Sequence, residues 1–348
     1  MFFKGRRNGA TAVARPELDE AERIESEQGR EAAIGYLEAA NRESRDLELE
    51  RQIRRLRHLA GIELLENAPS DPSFAEPSAE LPPIGEQSRC PEVTPDGLSP
   101  EVVRTAILSH GCLLVRGLMD RDKALAMADG IDRSFAVRDS LAPGESDPDG
   151  FYDELLAEEP FEVTARDWVQ EGGGVLACDS PRLMFEMLES FKEAGLRETV
   201  GGYLGEPPAL SGQKVTLRKA MPEIGGAWHQ DGKFLGDVRS LNVWLSLSRC
   251  GDIAPSMDVV PKRIDHHVEA GGEGTHLNIQ VGQADAEKVA GDAGIVRPIF
   301  DPGDALLFDE LFLHQTGSDP SMPNPRYAIE SWFFGLSGFP AEYVPIAY

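Results

Sequence analysis

At 348 residues the chain is long enough for one large domain with appendages, so core size sets no limit on its class. Its composition, 41% hydrophobic and 27% charged, is globular, and no stretch approaches the roughly 20 apolar residues of a membrane span. A net charge of -26 repels phosphate backbones and anionic lipid, which argues against nucleic-acid and membrane partners.

The first residues, Met1-Phe2-Phe3-Lys4-Gly5-Arg6-Arg7, lead into no apolar signal core, so a cytoplasmic protein is expected. Residues 20–66 are rich in Glu, Arg, Ala and Leu. Leu49, Ile53, Leu56 and Ala60 form one stripe of an amphipathic helix. So narrow a stripe must pack on the main domain or on another copy of itself, giving a homo-oligomer. The basic run at residues 51–58, His58 included, reads as the wet face of that helix. Prolines at 69, 72, 77, 82, 83, 91, 95 and 100 then forbid regular structure. The division expected is residues 1–66 as a helical extension, 67–98 as a proline-rich linker and 99–348 as the catalytic domain.

Ser99 and Pro100 cap a short helix that stops at Gly111, and Cys112-Leu113-Leu114-Val115-Arg116 reads as a buried strand closed by Gly117. Helices are expected over 120–135 and 181–194. Gly172-Gly173-Gly174 lacks the spacing of a phosphate loop and reads as a flexible loop. Beyond residue 210, short apolar runs at 214–219, 241–247, 254–260, 294–299, 305–308 and 327–336 are separated by Gly, Pro and Asp, which predicts consecutive strands. Helices followed by many short strands argue for a mainly β fold with flanking helices, a jelly-roll barrel.

The chemistry concentrates in that strand-rich half. In Trp228-His229-Gln230-Asp231, a His and an Asp two residues apart would face one side of a strand and converge on one metal. His314, after the turn Asp301-Pro302-Gly303-Asp304 and an apolar strand, is the third candidate ligand. Two imidazoles and one carboxylate leave three positions open, the arrangement of Fe(II) oxygenases that bind a bidentate co-substrate and O2. Arg326 stands 12 residues after His314, on a strand returning beside it, with a guanidinium fork suited to the distal carboxylate of 2-oxoglutarate. Thr316 offers a hydroxyl to the same carboxylate.

These stretches, with Val243-Trp244-Leu245-Ser246-Leu247 and Val259-Val260-Pro261-Lys262-Arg263, resemble the phytanoyl-CoA dioxygenase family, in order, over residues 99–336. The resemblance implies a double-stranded β-helix (cupin-like) core, Fe(II), 2-oxoglutarate and O2, with succinate and CO2 as co-products. It matches His229, Asp231 and His314 to the metal motif, Arg326 and Thr316 to the co-substrate, and places Gln213 and Trp244 on strands bordering it. Halogenating relatives lack the carboxylate, so Asp231 favours hydroxylation of an unactivated C–H bond. Desaturation, epimerisation or cyclisation at the same site, or an inactive cupin-like scaffold, are the alternatives. The chain departs from the family at Pro261-Lys262-Arg263-Ile264-Asp265-His266-His267 and in the prolines at 320, 323 and 325.

A small organic metabolite is the expected substrate, with Lys233 and Phe234 beside the metal carboxylate, and Trp332 on the last long strand, as its contacts. Lys214, Arg218, Lys219 and Lys233 form a local basic patch. His266-His267 reads as an exposed pair, His276 as part of a hairpin loop and His110 as the end of a helix. Cys90, Cys112, Cys178 and Cys250 lack close pairing and read as free thiols.

Overall fold

The structure, a computed structural model, describes residues 15–348 except Ala79, Pro143, Gly144, Ser146, Asp237, Glu273, Gly274, His276 and Asn278. The readings made above for the first seven residues and for His276 lie outside the described residues. Three helices come first: α1 (Pro16–Gln28), α2 (Arg30–Glu43) and α3 (Leu47–Glu66). Next are β1 (Glu92–Val93), α4 (Pro100–His110), β2 (Cys112–Val115), α5 (Arg121–Ser140), α6 (Arg166–Glu171), β3 (Gly174–Leu176), α7 (Pro181–Glu193) and α8 (Leu196–Leu204). The strand-rich half holds β4 (Pro208–Ala220), β5 (Trp228–His229), α9 (Gly232–Leu235), β6 (Ser240–Ser246), β7 (Ser256–Val259), β8 (Gln280–Val281) and α10 (Gln283–Ala290). It closes with β9 (Ala305–Phe308), β10 (His314–Gly317), β11 (Arg326–Gly335) and β12 (Pro345–Ala347).

Local chemistry explains the boundaries that the sequence marks most clearly. The Ser99 hydroxyl accepts from the Val102 N–H, 3.3 Å away, at the start of α4, and Gly111 ends that helix in the left-handed region at φ 79°. A side chain at Gly111 would also meet the Phe312 ring at 2.9 Å. Residues 294–299, expected to be a strand, contribute only an isolated bridge from Val296 to Val259. Pro298 lacks an N–H for a ladder, and its carbonyl instead accepts from the Ser256 hydroxyl at 3.1 Å.

Two sheets result. The larger runs β1-β2-β9-β6-β11-β4-β12, with β3 also on β4; the smaller runs β7-β10-β5-β8. Among the described strands the pairings are antiparallel except that of β1 with β2. Strand alternation divides the core. Leu241, Val243 and Leu245 of β6, with Leu307 and Ile329, face the helices α4, α5, α7 and α8, whereas Trp244, Leu306, Phe308 and Trp332 face Met257 and Val259 of the smaller sheet. The outer side of the smaller sheet is covered by Ala286 and Ala290 of α10. Helical residues outnumber strand residues, so the fold is mixed helix and antiparallel sheet rather than mainly β. The excess comes from the N-terminal helices and from those that cover the larger sheet. No described helix is long and apolar enough to cross a membrane, and all four cysteines are free and buried.

The stripe of α3 is used within the chain: Leu49, Ile53 and Leu56 pack with Ile34, Leu37 and Phe185 of α7. The basic run on this helix is only partly a wet face: Arg55 is exposed, whereas Arg54 and His58 are not. Arg54 is buried and donates to the Cys178 carbonyl at 2.6 Å and to Asp153 at 2.7 Å. His58 is buried too, with Nδ1 2.8 Å from the Pro345 carbonyl and Nε2 3.0 Å from the Glu158 N–H. Pro345 can only accept there and Glu158 can only donate, so the ring is the neutral Nδ1–H tautomer. Arginine and histidine are solvent-seeking by type, but each here finds backbone partners on the main body.

A pH dependence follows. Burial lowers the His58 pKa below its ordinary 6.5, against the upward pull of the Pro345 carbonyl. The unfolded chain therefore binds more protons than the folded one just below pH 6.5, and stability falls as the pH drops through that window. Denaturant midpoints at pH 7.5 and 5.5 should separate more for the wild type than for His58→Gln. Equal separations would mean that His58 does not titrate on unfolding.

Candidate metal centre

The smaller sheet assembles the three candidate ligands. His314 on β10 and His229 on β5 are direct cross-strand partners, which sets their rings side by side with centroids 4.4 Å apart. Asp231 does not share the strand with His229 as expected: β5 ends at His229, and Asp231 sits in the helical region at φ -62° as the first turn of α9 begins. The turn, rather than strand alternation, brings its carboxylate back. One oxygen lies 3.7 Å from His229 Nε2 and the other 3.7 Å from His314 Nε2, and the three ligand atoms lie within 4.8 Å of one another.

Backbone carbonyls fix both imidazoles. His229 Nδ1 is 2.8 Å from the Ala227 carbonyl and His314 Nδ1 is 3.0 Å from that of Phe312, so each ring turns its Nε2 to the shared centre. Burial, reinforced by His229, drives the His314 pKa down to about 3, and burial raises that of Asp231 to about 6 despite the nearby His229 and Lys214. Two imidazoles oriented by backbone carbonyls beside a buried carboxylate suit a divalent cation.

The centre opens into a cavity of ≈ 450 Å³ between the sheets, within the usual 300–1,000 Å³ for small-molecule sites. Its far wall is the inward face of the larger sheet: Lys214, Thr216 and Arg218 of β4, Asn242 and Trp244 of β6, and Arg326, Glu330 and Trp332 of β11. Arg326 reaches the site by a different route from the one expected. β11 pairs with β4 and β6, not with β10, so the guanidinium crosses from the opposite sheet. It is buried, donates to the Ser256 carbonyl at 3.2 Å, sits 5.3 Å from the Trp244 ring centroid, and leaves Nε without a partner. The buried Asn242 Oδ1 is likewise without a partner. Such groups are costly unless a ligand completes them.

Thr316 lines the same cavity, two residues beyond His314. Gln213 also borders it, but its side chain is engaged elsewhere: Oε1 accepts from the Thr164 N–H at 2.7 Å and from its hydroxyl at 2.9 Å, and Nε2 donates to the Glu342 carbonyl at 3.0 Å. Of the expected substrate contacts, Phe234 and Trp332 line the cavity and Lys233 does not. The turn at Asp231 sends Lys233 towards His267, where its charge adds to burial in lowering the imidazole pKa. Gly172 and Gly173 form part of the wall rather than a free loop. Their carbonyls accept from Arg218 Nη1 at 2.5 Å and from the Lys219 N–H at 2.9 Å, and a side chain on Gly173 would meet the Lys219 carbonyl at 2.7 Å.

Sequence reasoning missed Glu330, which pairs with Arg218 at 2.9 Å, and Asn242. The signal was strand alternation: Glu330 falls on the same face of β11 as Arg326 and Trp332, and Asn242 on the same face of β6 as Trp244.

Fold and site together define a mixed helix-and-sheet protein with a candidate metal centre between two antiparallel sheets. The sequence matches no family model and no curated protein. Among solved structures it is similar to EctD from S. alaskensis with 2-oxoglutarate and 5-hydroxyectoine, at 18% identity and TM-score 0.48 over 78% of this chain and 86% of that one. It is also similar to AviO1 from Streptomyces viridochromogenes Tue57, at 14% identity and TM-score 0.43 over 70% and 98%. A third is the epimerase SnoN in complex with Fe3+, alpha ketoglutarate and nogalamycin RO, at 13% identity and TM-score 0.42 over 68% and 83%.

Proposed function

We propose that the chain is an Fe(II)- and 2-oxoglutarate-dependent dioxygenase on a double-stranded β-helix core, with residues 99–348 as its catalytic unit. It hydroxylates an unactivated C–H bond of a small organic molecule. The observation that carries this reading is the meeting, in one cavity, of two imidazoles with free Nε2 atoms, a buried carboxylate and a buried arginine short of partners. His229, Asp231 and His314 would hold Fe(II), which together with 2-oxoglutarate would supply oxygen activation.

The protein's own residues orient and enclose. Arg326 takes the distal carboxylate of 2-oxoglutarate, with Trp244 flanking its guanidinium and Thr316 on the facing strand. Gln213 positions the wall by tying residue 164 to residue 342. Asp231 occupies the place that a halide would need, which favours hydroxylation over halogenation.

Anaerobic addition of Fe(II) and then 2-oxoglutarate to the full chain should produce a visible charge-transfer band that neither produces alone, and oxygen should then release succinate. Absence of the band with both present rejects the reading.

A further inference from the structure

The cavity wall carries one cation that the proposed chemistry does not use. Arg326 is assigned to the co-substrate, Arg218 pairs with Glu330, and Lys219 pairs with Asp132 at 2.7 Å. Lys214 Nζ instead lies among three rings, 4.5 Å from the centroid of Phe234, 5.3 Å from that of Trp168 and 5.5 Å from that of Tyr343. Among the described residues no carboxylate pairs with it. The ring faces attract the ammonium without accepting its three N–H donors in ordinary hydrogen bonds. Burial holds its pKa below the ordinary value, against the pull of Asp231 and Glu330.

A second observation lies at the mouth. Trp168, Met221, Ile224 and Phe234 line this cavity although they are 60%, 39%, 64% and 37% exposed. Two of them are also rings of the lysine cage, so an exposed apolar rim continues into a cation site.

We propose that Lys214 anchors a carboxylate of the substrate, whose apolar body rests on Trp168, Met221, Ile224 and Phe234. This rests on the oxygenase reading, which reserves Arg326 for 2-oxoglutarate. A single charge fits best, because one lysine faces it while Asp231, Glu330 and Glu171 border the same cavity and the whole chain carries -26. A polyphosphate or other polyanion would meet that field without matching cations. Substrate is thus selected by an acid group with a hydrocarbon or aryl portion attached.

The test is calorimetric binding of matched probes to the full chain: octanoate, 3-phenylpropanoate and 4-phenylbutanoate, each against its amide. Wild type should bind at least one acid about tenfold or more tightly than its amide, as expected for one charge-assisted contact. Lys214→Met should erase the difference, and Lys214→Arg should keep most of it. Titration of 2-oxoglutarate separates the two readings: Lys214→Met should leave its affinity unchanged, whereas Arg326→Leu should weaken it and spare the acid preference. Three results overturn the proposal: no acid bound above its amide by wild type, the preference surviving in Lys214→Met, or 2-oxoglutarate affinity falling in Lys214→Met. Failure of wild type to bind 2-oxoglutarate while the acid preference holds would count against the oxygenase reading alone.

Discussion

Asp231→Ala should lower iron-dependent 2-oxoglutarate turnover by more than about a hundredfold, since loss of an outer partner of a metal ligand already costs roughly 10–100-fold. His314→Ala should do the same. The two variants should part company in stability. Asp231 is a buried carboxylate whose pKa burial has raised to about 6, so removing it relieves a desolvation cost in the metal-free protein. His314 is packed against Phe308 and Phe312, with ring centroids 5.0 and 6.0 Å away, and truncation there leaves a hole. Metal-free Asp231→Ala should therefore melt no lower than the wild type, and His314→Ala should melt lower. Iron content, succinate release and thermal melts on the same preparations check each part. Undiminished turnover in either variant would reject the ligand set.

Arg326→Leu should weaken 2-oxoglutarate binding by about tenfold to over a hundredfold while changing iron affinity little. Hydrogen bonds to a charged group contribute about 1.5–3 kcal/mol, and each 1.4 kcal/mol is a factor of ten in affinity. The geometry favours the upper part of that range, because the guanidinium is buried, holds one protein carbonyl and leaves Nε free. Arg326→Lys should recover only part of the loss, since an ammonium has charge without the planar fork. Arg218 and Lys219 are each paired with a carboxylate, so neither is expected to compensate fully. The measurement is a 2-oxoglutarate titration of the three proteins with iron affinity determined separately. Wild-type affinity in Arg326→Leu would make the arginine structural.

What the sequence determined by itself was local. Caps at Ser99 and Gly111, the apolar runs of β2, β6, β9 and β11, and the α3 stripe are set by short-range preferences and periodicity, and they stand where the pattern put them. The spacing of His229, Asp231 and His314 marked the residues that converge, because few residue types offer a metal such donors. Tertiary structure decided how they converge. Asp231 arrives by a turn into α9, and Arg326 comes from the opposite sheet, since strand order is fixed by long-range pairing that no window of sequence contains. It also decided which polar groups are dry. His58 and Arg54 read as solvent-facing until α3 lay against residues 153–178 and 345, and Lys214 read as one of a basic patch until its neighbours took their carboxylates. A side chain's charge is written in the sequence. Whether that charge meets water, a partner or an empty cavity depends on what the rest of the chain places beside it.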